Sequence, residues 1–136
     1  MEIKDSGSRQ AFASWAVRDN QTGKGRFDLL PFRAIWGVSK IFEGGALKYS
    51  PNNWRKGIPL ARFVDSGMRH LAKWMMGWKD EPHLEMAVWN FMCLLETKGM
   101  IEEGLLPEKL NNLPYLELKV MANPYGIPEM KTDETS

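Results

Sequence analysis

The chain has 136 residues, 18 of them basic and 17 acidic, for a formal charge of +1. That balance excludes the broad basic footprint by which duplex nucleic acid is held, though not a local basic pocket for a polyphosphate. With 43% apolar residues and one cysteine, Cys93, the chain can fill a core but form no intrachain disulfide.

In chain order, residues 1–25 are polar and read as an arm, with Asp19-Asn20 and Thr22-Gly23 as turn material. There is neither a secretory leader nor an apolar run of about 18 residues that would span a membrane. The expected setting is a reducing cytoplasm. A helical domain is expected over residues 26–121 and a mobile tail over 122–136.

The first helix starts near Pro31, which is tolerated in a first turn. Phe32, Ile35, Trp36, Ile41 or Phe42 and Ala46 follow helical spacing, and Gly44-Gly45 is expected to loosen the end. Asn52, Asn53, Gly57 and Pro59 mark a loop. A second helix is predicted from about Leu60 to Gly77, with Val64, Met68, Leu71, Met75 and Trp78 as its apolar stripe. A third begins near Asp80 as N-cap, with Pro82 in its first turn, and ends at Gly99 as the C′ residue. A short helical piece and an extended stretch over Leu116–Met121 complete the reading.

Three helices of this size leave apolar faces uncovered, so self-association is expected. Six tryptophans and nine methionines serve a core by default, or flat walls for a base. Cys93 lies in an apolar run and reads as a buried hydrophobe.

The polar residues on apolar faces carry the chemistry. His83, Ala87, Asn90 and Leu94 share one face of the third helix. A buried His and Asn need partners, because an unmet polar group costs about 1–3 kcal/mol. Local bonding satisfies that need, and so does a site. Glu43, Asp65, Asp80 and Glu81 are candidate ligands for a divalent cation, which takes carboxylate oxygens from adjacent helices. Against that stand N-capping for Asp80-Glu81 and an ion pair with Arg69 for Asp65. Lys24, Arg26, Lys48, Arg69 and His70 are candidates for seating phosphates. Asn53 offers an amide to a base edge and Trp54 a ring for stacking, with Tyr49 nearby. No Walker loop, GxGxxG, HExxH or zinc-type spacing occurs.

These blocks stand in order: Arg18-Asp19; Gly23-Lys24-Gly25-Arg26-Phe27-Asp28-Leu29-Leu30-Pro31; Glu43-Gly44-Gly45-Ala46-Leu47-Lys48-Tyr49; Asn53-Trp54-Arg55-Lys56-Gly57; Arg62 to His70; Asp80-Glu81-Pro82-His83-Leu84; and Ala87-Val88-Trp89-Asn90. The series resembles the phage dATP/dGTP diphosphohydrolase family, in its N-terminal domain, over about residues 16–97. The resemblance implies a small all-α bundle of MazG-like type, completed as a homodimer or homotetramer. It implies metal-dependent hydrolysis of dATP and dGTP to monophosphate and pyrophosphate, supplying dGMP for phage 2-aminoadenine DNA and depleting dATP. Mg2+ is the first expectation, with Mn2+ or Co2+ as substitutes.

On that reading Glu43, Asp65 and Glu81 are catalytic and, with Asp80, hold metal. Lys24, Arg26, Lys48, Arg69 and His70 hold phosphates, Asn53, Trp54 and Tyr49 take the base, and His83 and Asn90 orient the ligands. The chain departs from the MazG-like ExxE and ExxD spacings, and Asn90 stands where the second pattern places an aspartate. The alternative is a catalytically inactive nucleotide-binding or assembly module of the same fold. A single-strand nucleic-acid binder is a third and weaker reading; no membrane and no stable nucleic-acid partner is expected.

Overall fold

The computed structural model describes residues 2–114. They are mostly helical, as a small all-α fold requires, and fall into two compact units that divide at Phe32. The extended stretch expected at Leu116–Met121 and the tail from residue 122 lie outside the described residues.

The N-terminal unit contains a two-stranded antiparallel hairpin, β1 (Arg9–Ala11) and β2 (Val17–Asp19), where the sequence suggested an unstructured arm. Its turn needs a left-handed residue, and Trp15 supplies it at φ 67°. The Asp19 carboxylate accepts from the backbone N–H groups of Ser6 and Asn20 and from Lys24. A 3-10 turn over Phe27–Leu29 follows.

The second unit is built on α1 (Phe32–Lys48), α2 (Leu60–Met75) and α3 (His83–Glu102). None of the described helices is long and apolar enough to cross a membrane. Gly44-Gly45 does not end α1, which continues to Lys48; a Cβ at either position would meet nothing within 4 Å. Gly99 likewise lies inside α3, which stops at Glu102, with Gly104 at φ 76° turning the chain.

α2 and α3 are antiparallel neighbours. Leu60, Phe63 and Gly67 are buried on α2 and His83, Ala87, Asn90, Cys93, Thr97 and Ile101 on α3. This corrects the expected α2 stripe: Met68 and Met75 are 60% and 73% exposed. The seam instead runs through Gly67, where a Cβ would come within 2.7 Å of the Phe91 ring and 3.2 Å of Asn90 Cβ. A glycine is what permits that approach.

α1 joins α3 through Phe42, whose ring lies 5.9 Å from that of Trp89, and through Gly37, which faces Glu85. Since residue 37 meets 85 and 42 meets 89, α1 and α3 run in the same direction. α2 lacks a side-chain cap of its own; Asn112 Oδ1 accepts from the Ala61 N–H at 3.0 Å and satisfies one orphan donor of its first turn. Cys93 is buried, and desolvation pushes its thiol up to about 12, so it behaves as the hydrophobe expected.

Candidate functional site

Two clefts of the helical unit collect half of the residues singled out from the sequence. The first has a volume of about 300 Å³ and is lined by Phe42, Glu43 and Ala46 of α1, by Tyr49 to Trp54, and by Trp89 of α3. Its floor follows from local backbone. Asn52 adopts the left-handed region at φ 61°, which asparagine tolerates, and starts a 3-10 turn over Asn53–Lys56 that ends at Gly57, φ 119°. Arg55 ties this turn to α3 through Glu96 at 3.2 Å and lies over the Trp54 ring, 4.4 Å from its centroid. Trp54 also packs edge-on against Phe42 at 6.0 Å.

The expected base-binding trio, Tyr49, Asn53 and Trp54, is thus brought together. Glu43 joins it rather than the other acids. Trp89, which sequence reasoning passed over as core, is a wall of the same cleft, and its indole N–H is buried without an acceptor. Its helical spacing is that of an ordinary core residue, so nothing in the sequence marks it.

The second cleft, about 430 Å³, lies where α2 gives way to α3. Trp74, Trp78, Lys79, Asp80, Glu81, His83 and Glu85 are among its lining residues. Asp80 does not cap α3, because the helix starts three residues later. Its carboxylate bonds the His83 ring, Oδ1 to Nε2 at 2.7 Å, and that bond lowers its pKa. The other ring nitrogen, His83 Nδ1, lies 2.9 Å from Nδ1 of His70 on α2. His83 is 1% exposed and so obliged to find partners; it has two. Burial first, then the charge of His83, lowers the pKa of His70. Asn90 bonds within its own helix, Nδ2 donating to the Met86 carbonyl at 2.8 Å, which is the local satisfaction weighed from the sequence.

The remaining candidates are dispersed. Asp65 pairs with Arg69 one turn on, and the pair is more than half exposed. Position 65 is about 160° around α2 from Gly67, so it faces away from α3. Lys48 lies over the Tyr49 ring at 5.1 Å. In the N-terminal unit Lys24 pairs with Asp19 at 2.9 Å, and Arg26 grips Asp28 with two bonds of 2.8 and 2.7 Å. Exposed pairs of this kind are worth little and open readily.

The convergence of Glu43, Asp65, Asp80 and Glu81 on one cation is not found within the chain. Glu43 lines one cleft and Asp80 and Glu81 the other. Asp65 is turned outward to Arg69. Among the described residues no three His, Cys, Asp or Glu side chains come together as a metal site. As placed in a single chain, these four acids do not fit a common ion.

A family model described as dATP/dGTP diphosphohydrolase, N-terminal, matches residues 14–103, a span that contains both clefts' principal residues. No curated protein and no solved structure matches the chain.

Proposed function

This chain belongs to the dATP/dGTP diphosphohydrolase family, matching its N-terminal domain, and from that premise we propose that it hydrolyses purine deoxynucleoside triphosphates to monophosphate and pyrophosphate. The observation that carries the reading to particular residues is the aromatic cleft at Trp54. Phe42, Tyr49, Trp54 and Trp89 offer flat apolar surface, and Asn53 and Glu43 offer polar groups at its edge. That is the composition of a small-molecule pocket: apolar walls with a few polar groups that fix orientation.

Glu43 in this setting reads a base. A carboxylate accepts from purine N–H donors, two adjacent ones in guanine and the exocyclic amine in adenine. The Asn53 amide both donates and accepts. The unmet indole N–H of Trp89 carries a cost that an acceptor of the ligand, such as a purine ring nitrogen, would relieve.

A divalent cation, Mg2+ first and Mn2+ or Co2+ as substitutes, belongs to the proposal as a requirement of the reaction, with no site assigned to it in the chain. The same holds for the supply of dGMP to phage 2-aminoadenine synthesis. The test is incubation with each dNTP and a panel of divalent metals, the nucleotides being separated by chromatography and pyrophosphate followed by a coupled assay. dGTP and dATP should give the monophosphate and pyrophosphate, pyrimidine substrates far less, and chelation with EDTA should stop turnover. Turnover undiminished in EDTA would remove the metal requirement alone.

The dispersal of the four acids favours a second reading, a nucleotide-binding module of the same fold that catalyses nothing. It predicts saturable dGTP or dATP binding with no pyrophosphate released under any metal.

A further inference from the structure

The two clefts of the helical unit are poorly charged for a triphosphate. The aromatic cleft has no lysine or arginine among its lining residues and carries the Glu43 carboxylate. The second sets Lys79 against Asp80, Glu81 and Glu85. A polyphosphate chain needs the reverse balance, with cationic donors in excess of carboxylates.

The N-terminal unit has that balance. A cavity of about 420 Å³ lies against its hairpin, lined by Gln10, Phe12, Arg18, Asp19, Gln21 and Lys24. Gln10 and Arg18 are cross-strand partners and share one face, and Phe12, two residues past Gln10, lies on it too. The Lys24 N–H donates to the Gln21 carbonyl at 3.2 Å, which folds the chain back past the end of β2 and brings the Lys24 ammonium to Asp19.

The two cations are held differently. Arg18 makes no hydrogen bond or ion pair among the described residues, so its whole fork of donors is open to phosphate oxygens. Lys24 is paired with Asp19 at 2.9 Å, at an exposed site where such a pair opens readily. Asp19 does not depend on it. Ser6 donates to that carboxylate from both its N–H and its hydroxyl, and the Asn20 N–H donates at 3.0 Å. Lys24 can therefore turn to an anion without leaving the carboxylate unmet.

We propose that this hairpin cavity binds the triphosphate chain of a nucleotide, with Arg18 gripping two oxygens of one phosphate and Lys24 serving as a point charge for the next. The Gln10 and Gln21 amides add neutral donors. That the chain belongs to a nucleotide rests on the proposed pyrophosphohydrolase reading; the preference for polyphosphate rests on the cavity alone. Arg18 and Lys24 both fall within residues 14–103, the span matched by the family model. Arg26, expected to share the work, is instead held by Asp28 through two bonds. A single-stranded nucleic acid is the competing ligand, since Trp15 at the hairpin turn is 89% exposed and could stack on a base. Arg9, however, is engaged by Asp5, so the cations do not continue into the track that a strand's backbone follows.

The test is calorimetry on the full chain in EDTA, with inorganic tripolyphosphate, dTTP and inorganic phosphate as probes. dTTP carries the triphosphate without a purine. Tripolyphosphate and dTTP should each saturate at one per chain, and phosphate should bind far more weakly. Arg18→Gln and Lys24→Gln should each weaken tripolyphosphate and dTTP by about 10- to 100-fold, as loss of a charged hydrogen bond does. Arg18→Lys, which keeps the charge and loses the fork, should fall between. Lys40→Gln on α1 makes the same change of charge away from the cavity and should leave the affinity unchanged. Amide NMR shifts of β1 and β2 confirm that the hairpin persists in each variant.

A wild-type chain that ignores tripolyphosphate overturns the proposal, as does undiminished binding in both glutamine variants. Tripolyphosphate binding without dTTP binding overturns the assignment to a nucleotide. Binding of oligo-dT in place of tripolyphosphate, lost in Trp15→Ala, would make the hairpin a nucleic-acid face instead. None of these readouts depends on turnover. A chain that binds tripolyphosphate but hydrolyses neither dGTP nor dATP overturns the pyrophosphohydrolase reading and leaves the polyphosphate site; one that hydrolyses both and ignores tripolyphosphate does the reverse.

Discussion

At the level of single residues, Trp54 and Gly67 show how one side chain, or its absence, sets the geometry of the unit. Trp54 is held by Arg55 on one ring face and by the edge of Phe42, so it is fixed before any ligand arrives. Stacking of a base on an aromatic ring is worth about 1–3 kcal/mol. Trp54→Ala should therefore weaken dGTP or dATP binding by about 10- to 100-fold, read by calorimetry, with the helical signal retained. An unchanged affinity would take the base out of this cleft. Gly67 is different in kind. A methyl there meets the far edge of the Phe91 ring, which is 37% exposed and can swing, but also Asn90 Cβ at 3.2 Å, which cannot move without its helix. Gly67→Ala should destabilise by about 1–3 kcal/mol, as overpacking does, and lower the thermal midpoint. An unchanged midpoint would mean that the α2–α3 approach is looser than described.

At the level of elements, the α2–α3 pair explains both what could be read from the sequence and what could not. The three helices were legible because of apolar spacing and because prolines (Pro31, Pro59 and Pro82) stand within a few residues of their starts. The face α2 turns inward was not. Its seam runs Leu60, Phe63, Gly67, His70, and two of those four residues carry no hydrophobic signal. The competing series of Val64, Met68, Leu71 and Met75 has the same periodicity, displaced by one residue or about 100°. Asp80 matched a capping signal, yet a buried imidazole three residues on competes for its carboxylate and wins. The three-residue strands of the arm were too short to leave an alternating pattern. The base cleft was partly legible, through Asn53 and Trp54. The scatter of the acids was not, because which face meets which helix is decided by the whole packing.

The same pair of helices should be sensitive to pH. The pKa of His70 is lowered below the usual 6.5 by burial and then by His83. A histidine with a depressed folded value contributes stability that is fully present above its unfolded pKa and is lost as pH falls through the folded one. The window therefore opens near pH 6.5 and extends downward. Asp80, also lowered in the fold, adds a loss of the same sign nearer the carboxylate range. Urea midpoints measured from about pH 8 to about pH 5 should decline below 6.5 in the wild type and decline less in His70→Gln. Parallel profiles would show that His70 does not couple to folding.

For the molecule as a whole, the open question is what covers α3. Its face toward α2 is buried, and Phe42 covers part of a second. On a further side Leu84, Val88, Phe91, Met92 and Leu95 remain 36% to 71% exposed. At steps of three or four residues they form one stripe, about 16 Å long at 1.5 Å per residue. An apolar stripe of this length on a helix is ordinarily covered by another element. The chain's net charge of +1 puts no large repulsion between copies. We propose that a second copy covers the stripe, and a two-fold axis lets the same residues serve on both sides. Light scattering should then give a dimer, or a tetramer if a further face is used, with a thermal midpoint that rises with protein concentration. Val88→Glu with Leu95→Glu would place carboxylates opposite one another across that axis, and should yield a monomer that keeps its helical signal. A wild-type chain that is monomeric at high concentration, or a double variant whose mass is unchanged, would leave the stripe to some other purpose.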